Sequence, residues 1–188
     1  MTPGSVFQFI KHGHVFIVGT GLVLFWVPLF APKGGPVHRA AGKLYVAFMS
    51  VAGISGAGLA ASYLWTPSKR LDGAFLLCGV LAYFTLGWHA WRALRCKPGP
   101  HLMRRPFDIG LDVSALASGL AAFTLGLRFH DAYLTVIGPI SVLIGARHLR
   151  VMFRKAHKPD WWRREHRAGM IATGITGYSA LVFFEILR

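Results

Sequence analysis

Six apolar runs divide this 188-residue chain, at roughly 14–31, 42–65, 71–94, 107–128, 131–151 and 167–187. As α-helix each would extend about 27–36 Å, which matches the hydrocarbon thickness of a bilayer. The runs lack the two-residue alternation of barrel strands and are too long for them. The expected fold class is therefore all-α, an integral membrane helical bundle of about six transmembrane helices forming one domain over residues 1–188. Composition agrees. Hydrophobic residues make up 54% of the chain against seven Asp and Glu, too few to solvate a soluble globule of that content.

The breaks between runs carry their own signals. Pro32, Gly34, Gly35 and Pro36 close the first span, and Thr66, Pro67 and Ser68 the second. Asp72 lies near the start of the third. Pro98, Gly99, Pro100 and Pro106 precede the fourth, Asp131 is placed to cap the fifth, and Pro159-Asp160 precedes the sixth. The short 128–131 connection makes spans four and five antiparallel neighbours. Lys11 followed by Val15–Phe30 imitates a signal peptide, but Leu29-Phe30-Ala31 is a poor cleavage site, so this segment reads as an uncleaved first span.

The formal net charge is +14, and its distribution gives it meaning. Sixteen of the 21 Lys and Arg fall on one side of the six-span topology and five on the other. The positive-inside rule then puts the basic loops in the cytoplasm and both termini outside, in a multi-pass protein of the cell inner (plasma) membrane. Anionic lipid head groups at the cytoplasmic face are the expected counter-charge, and a nucleic-acid partner is not expected, because a groove needs a continuous basic face. Trp88, Trp91, Trp161 and Trp162 are expected at that interface, with Arg154–Arg167 lying against the head groups. Glu185 would snorkel at the outer end. The two cysteines, Cys78 and Cys96, are about 27 Å apart along a continuous helix, too far for an intramolecular disulfide.

Small residues Gly53, Ala57 and Ala61 recur every four positions in the second span and predict a close helix contact, within the chain or as the seam of a homo-oligomer. Gly138-Pro139 predicts a kink in the fifth span.

The nine histidines carry the chemical signal. His38, His89, His148 and His166 are predicted at one depth, at the cytoplasmic ends of spans two, three, five and six. His14 and His130 lie near the outer leaflet. Two neutral imidazoles on facing helices can ligate a b-type haem, so the six are candidate cofactor-binding residues for haem b, with no metal implied beyond the haem iron. The layering resembles b561-type membrane cytochromes at a coarse level. It departs from them because no span carries two histidines about a dozen residues apart. Interfacial preference of imidazole is the plainer reading. A zinc or copper site of imidazoles with or without a carboxylate is a third.

Asp108 and Asp112 are four apart and share a helix face near the basic end of span four. Asp108 suits the first helical turn, with Arg104 or Arg105 as its partner. Asp112 lies a turn deeper, where a carboxylate must find a partner or change protonation state. No phosphate loop, nucleophile elbow or HExxH helix is present, so no residue is assigned a catalytic role.

His38-Arg39-Ala40-Ala41-Gly42 opens span two and His166-Arg167-Ala168-Gly169 opens span six, a short internal echo. Around the first of these, Lys33, Gly34, His38, Arg39, Gly42 and Tyr45 form a KG…HRxxGxxY pattern. With His14, and with His166 followed by Met170, it resembles a bacterial family of membrane proteins of unassigned activity. The resemblance covers the first sixty residues and, loosely, the last span, and it implies fold and location. The leading functional expectation is a small redox protein that binds haem b and passes electrons, with a quinone or a partner membrane subunit. The alternatives are a transporter lined by Asp112, His89 and the Pro139 kink, or a non-catalytic accessory subunit.

Overall fold

The computed structural model describes residues 3–183, with side chains from Phe7 onward. Six α-helices account for nearly all of it: α1 (Pro3–Phe30), α2 (Pro36–Trp65), α3 (Arg70–Ala93), α4 (Pro106–Phe129), α5 (Ala132–Met152) and α6 (Trp161–Val182). No strand occurs among the described residues. Among the described residues five helices, α1 to α5, are long and apolar enough to cross a membrane. The first turns of α6 carry Arg163, Arg164, Glu165 and Arg167, and its described part ends at Val182. The expected continuation to 187, with Glu185, lies outside the described residues.

The exterior is apolar. Phe16, Phe30, Ile54, Trp65 and Leu143 are each more than two-thirds exposed. The interior holds Thr85, His89, Arg92, Asp108, Asp112, Ser141, His148 and Thr173, all buried. A chain that turns large hydrophobics outward and polar side chains inward is built for a lipid solvent, and this is a multi-pass membrane protein.

The helices form two groups that share α3. In the first, α1 packs on α2, α2 on α3, α3 on α6, and α6 closes back on α1. This makes a four-helix bundle in which α2 and α6 face each other across the interior through side chains. The second group is the α4–α5 hairpin, the most extensive helix contact in the molecule, which docks on the other side of α3. Glycines make the hairpin contact close. A Cβ on Gly119 would lie 2.6 Å from the Gly138 carbonyl oxygen, and one on Gly145 would lie 2.6 Å from the Asp112 carbonyl oxygen. Backbones at this distance gain dispersion contact without any hydrophobic drive. Asp131 caps α5, accepting from the Leu134 amide at 3.0 Å.

Several helix boundaries differ from the apolar runs. Helix α1 begins eleven residues early and α2 six, so Lys11, His14 and His38 stand on helices. Hydropathy locates the lipid-embedded part of a helix, whereas polar end turns continue into the head-group zone. The small-residue stripe is also rotated. Gly53 is buried, and a Cβ there would meet the Phe84 ring at 2.7 Å, but Ala57 is half-buried and Ala61 exposed. The buried face of α2 runs instead through Tyr45, Met49, Ala52, Gly53, Gly56, Leu59 and Ala60.

The basic end is a folded cap. Ala93, Cys96, Met103, Met152 and Trp161 form a buried cluster. Trp161 donates from Nε1 to the Lys97 carbonyl at 3.1 Å, and Arg104 donates from Nε to the Met152 carbonyl at 2.8 Å. Trp161 is therefore an anchor joining two loops, where the sequence placed it at the interface. Both cysteines are free and buried.

Candidate functional site

The four histidines expected at one depth form two separate pairs, on two faces of α3. His89 projects from α3 toward α4 and α5. Its Nε2 lies 2.9 Å from Asp112 Oδ1, and His148 Nδ1 on α5 lies 3.6 Å from the same oxygen. All three side chains are buried. Their ligand atoms lie within 4.8 Å of one another, so the three could hold a metal ion. The His89 and His148 ring centres are 4.4 Å apart, with 32° between planes. Two imidazoles on opposite sides of one haem iron keep their ring centres about 6 Å apart, with metal–nitrogen bonds near 2.0 Å. This pair is thus too close to be axial ligands of a shared haem.

The second pair is His38 on α2 and His166 on α6, across the four-helix bundle, with ring centres 6.4 Å apart and planes at 74°. Each Nδ1 is tied to a backbone carbonyl, His38 to Pro28 at 2.9 Å and His166 to Ala90 at 3.1 Å. A carbonyl only accepts, so each Nδ1 donates, and in a neutral ring Nε2 keeps its lone pair. This is the tautomer and anchoring that metal-ligating histidines require. Gly42 is one turn beyond His38, and a Cβ there would meet nothing within 4 Å. Both rings are half-buried, and the neighbouring Arg39 and Arg167 are exposed.

Helices α2 and α6 stay in register beyond this pair. Seven residues on, Tyr45 Oη is 2.9 Å from Thr173 Oγ1. Thr173 donates to the Met170 carbonyl at 2.7 Å, so Tyr45 is the donor to Thr173. Four residues further, the Met49 side chain reaches the space beside Gly177. The His-Arg-Ala echo thus marks two helices that face each other in the same direction.

The other end of this bundle contains a cavity of about 150 Å³ lined by Lys11, His14, Tyr63, Tyr83 and Thr176 among apolar side chains. Ser55 donates to the carbonyls of Val51 and Ala52. Its Oγ also lies 2.8 Å from His14 Nδ1, which ties α1 to α2 beside the cavity. His130 is elsewhere. It is exposed at the α4–α5 turn, in the left-handed conformation at φ 53°, as the residue that ends α4. The structure does not bring it to His14, which packs on α2.

Asp108 takes a partner the sequence did not name. Its Oδ2 accepts from Arg92 Nη2 at 3.1 Å and from the Arg105 amide at 3.3 Å, and its Oδ1 accepts from Trp88 Nε1. Arg92 also donates to the Leu102 carbonyl at 2.7 Å. Asp108 caps its helix, as expected, and also ties α3 to α4. Arg92, grouped at the sequence level with the basic surface, is buried. The signal that could have found it is position, one turn beyond Trp88 and on the same helix face.

Burial pushes the Cys96 thiol above its ordinary range, with Asp108 adding to the rise and Arg92 and Arg105 opposing it. Asp160, in the exposed turn before α6, is held below the usual carboxylate range by the Arg164 guanidinium 3.0 Å away. Comparison with protein-family models, with curated proteins and with solved structures gave no match.

Proposed function

We propose that the chain is a membrane redox protein that binds one haem b, with His38 and His166 as axial ligands. The observation that carries this reading is the pairing itself. Two imidazoles on facing helices stand 6.4 Å apart, each anchored through Nδ1 so that Nε2 is free for iron. Interfacial preference alone explains histidines at helix ends. It does not explain two rings that meet across a bundle with each Nδ1 held by a backbone carbonyl.

The residues around the pair suit the group. Arg39 and Arg167, each next to a ligand, supply positive charge for propionates at the basic end. Haem supplies one-electron exchange when bound. The chain holds it, shields it from water between α2 and α6, and sets its potential through the ligand hydrogen bonds. In this reading a lipid-soluble quinol occupies the cavity at the other end. A 150 Å³ apolar cavity takes a single ring, and His14 on its wall offers a hydrogen-bond partner for a quinol hydroxyl. The basic end faces the cytoplasm by the positive-inside rule.

The test is titration of the purified apoprotein with haemin in detergent. The expected result is saturation at one haem per chain with a low-spin Soret band, and loss of saturable binding in His38→Ala and His166→Ala with unchanged helix content. Absence of saturable binding by the folded protein would refute the assignment.

A further inference from the structure

The pocket of charge between α3, α4 and α5 is independent of the His38–His166 pair. We infer that His89, Asp112 and His148 form a second, non-haem site for a single divalent transition-metal ion.

Three observations converge on it. The first is donor geometry. Around one ion with bonds of about 2.0–2.2 Å in tetrahedral array, neighbouring donor atoms are roughly 3.3 Å apart. The two distances to Asp112 Oδ1, 2.9 and 3.6 Å, bracket that value.

The second is incomplete pairing. Asp112 Oδ2 and His148 Nδ1 are buried without hydrogen-bond partners, and the 3.6 Å contact is too long to be one. A buried carboxylate oxygen with no donor and a buried imidazole nitrogen aimed at that carboxylate are costly as they stand. A cation held by Asp112 Oδ1 gives His148 Nδ1 its partner and offsets the carboxylate charge that Oδ2 shares, while His89 Nδ1 stays buried without a partner. The cation also supplies the positive charge that Asp112 lacks, since the nearby Arg92 is paired with Asp108.

The third is the surroundings. The three ligands come from three different helices, at the junction where the α4–α5 hairpin docks on α3. Gly145 brings α5 within contact of the Asp112 backbone, three residues from His148, and a side chain there would push α4 and α5 apart. Helical positions set ligands more precisely than loops do.

The donor set selects the ion class. Two imidazoles and one carboxylate suit zinc, iron, nickel or copper. Calcium and magnesium are disfavoured because they take oxygen ligands. No cysteine joins the set, which disfavours soft monovalent copper.

The experiment uses full-length protein purified without chelator, with Zn²⁺ and Co²⁺ as probes. Elemental analysis is expected to find about one transition-metal ion per chain beyond any haem iron. After chelation, added Co²⁺ is expected to give visible d–d bands that Zn²⁺ displaces. Asp112→Asn, which keeps shape and removes charge, should lower metal affinity at least tenfold, and so should His148→Ala. His38→Ala should leave it unchanged, so failure here and failure of the haem assignment are separable. Absence of bound metal and of Co²⁺ bands in folded wild-type protein would overturn the proposal, and so would metal binding that survives both substitutions in the triad.

Discussion

Tyr45 and Thr173 meet hydroxyl to hydroxyl at 2.9 Å, seven residues beyond His38 on one helix and seven beyond His166 on the other. Seven residues are two helical turns, so both contacts lie on one seam between α2 and α6. The seam fixes the depth at which the two imidazoles face each other. Tyr45→Phe removes the donor while Thr173 keeps its bond to Met170. The expected loss is about 0.5–1.5 kcal/mol of stability, the range for single hydrogen bonds inside membrane bundles. Thermal unfolding in detergent checks this, and an unchanged midpoint would show that the bond carries no weight.

Packing gives a sharper contrast. Gly145→Leu and Gly53→Leu each force a side chain into atoms under 3 Å away, the Asp112 carbonyl oxygen and the Phe84 ring. Gly58 has nothing within 4 Å of a Cβ. The first two substitutions should cost about 1–3 kcal/mol or more, and Gly58→Leu should be neutral or stabilising through helix propensity. Equal melting of all three variants would contradict the assigned faces.

Much of this was legible in the sequence, and the gaps have physical causes. Run length and loop charge suffice for a membrane bundle because lipid forces backbone pairing into helices. They cannot say which residues face inward, since a helix apolar on all sides gives no periodic signal. That is why the Gly53, Ala57 and Ala61 stripe was assigned a rotation that leaves Ala61 exposed. The histidines were visible as a layer, but their division into two pairs depends on α3 standing between α6 and the α4–α5 hairpin. Helix packing order is not written in hydropathy. Asp112 was found because an ionisable group one turn into a span demands a partner. Arg92 was missed because it sits beside arginines that do face solvent.

Cys96 provides a pH test outside the spans. Its pKa is raised by burial, so the folded thiol keeps its proton at pH values where an unfolded thiol, near 8.5, has begun to lose it. Folding therefore loses stability as pH climbs above the unfolded value. Maleimide labelling of the native protein at neutral pH should be much slower than of denatured chain and should rise steeply only at alkaline pH. Rapid labelling at pH 7 would show that the Ala93, Cys96, Met103, Met152 and Trp161 cluster opens readily.

The sixteen-to-five charge split predicts an orientation that can be measured. Reporter domains inserted in the 97–101 loop and fused after residue 188 should report opposite sides of the membrane, the loop cytoplasmic. Two cytoplasmic reports would contradict six crossings.

The central claim is that His38 and His166 share one haem while His89 and His148 do not. The direct measurement is the reduced-minus-oxidised spectrum of purified wild-type protein and four single variants, after expression with haem supplied. Wild type is expected to show a Soret band and a sharp reduced α-band, lost or shifted in His38→Ala and His166→Ala and retained in His89→Ala and His148→Ala. A folded wild-type protein with no visible absorption would contradict it, as would a spectrum that depends on His89 and His148 and is indifferent to His38 and His166.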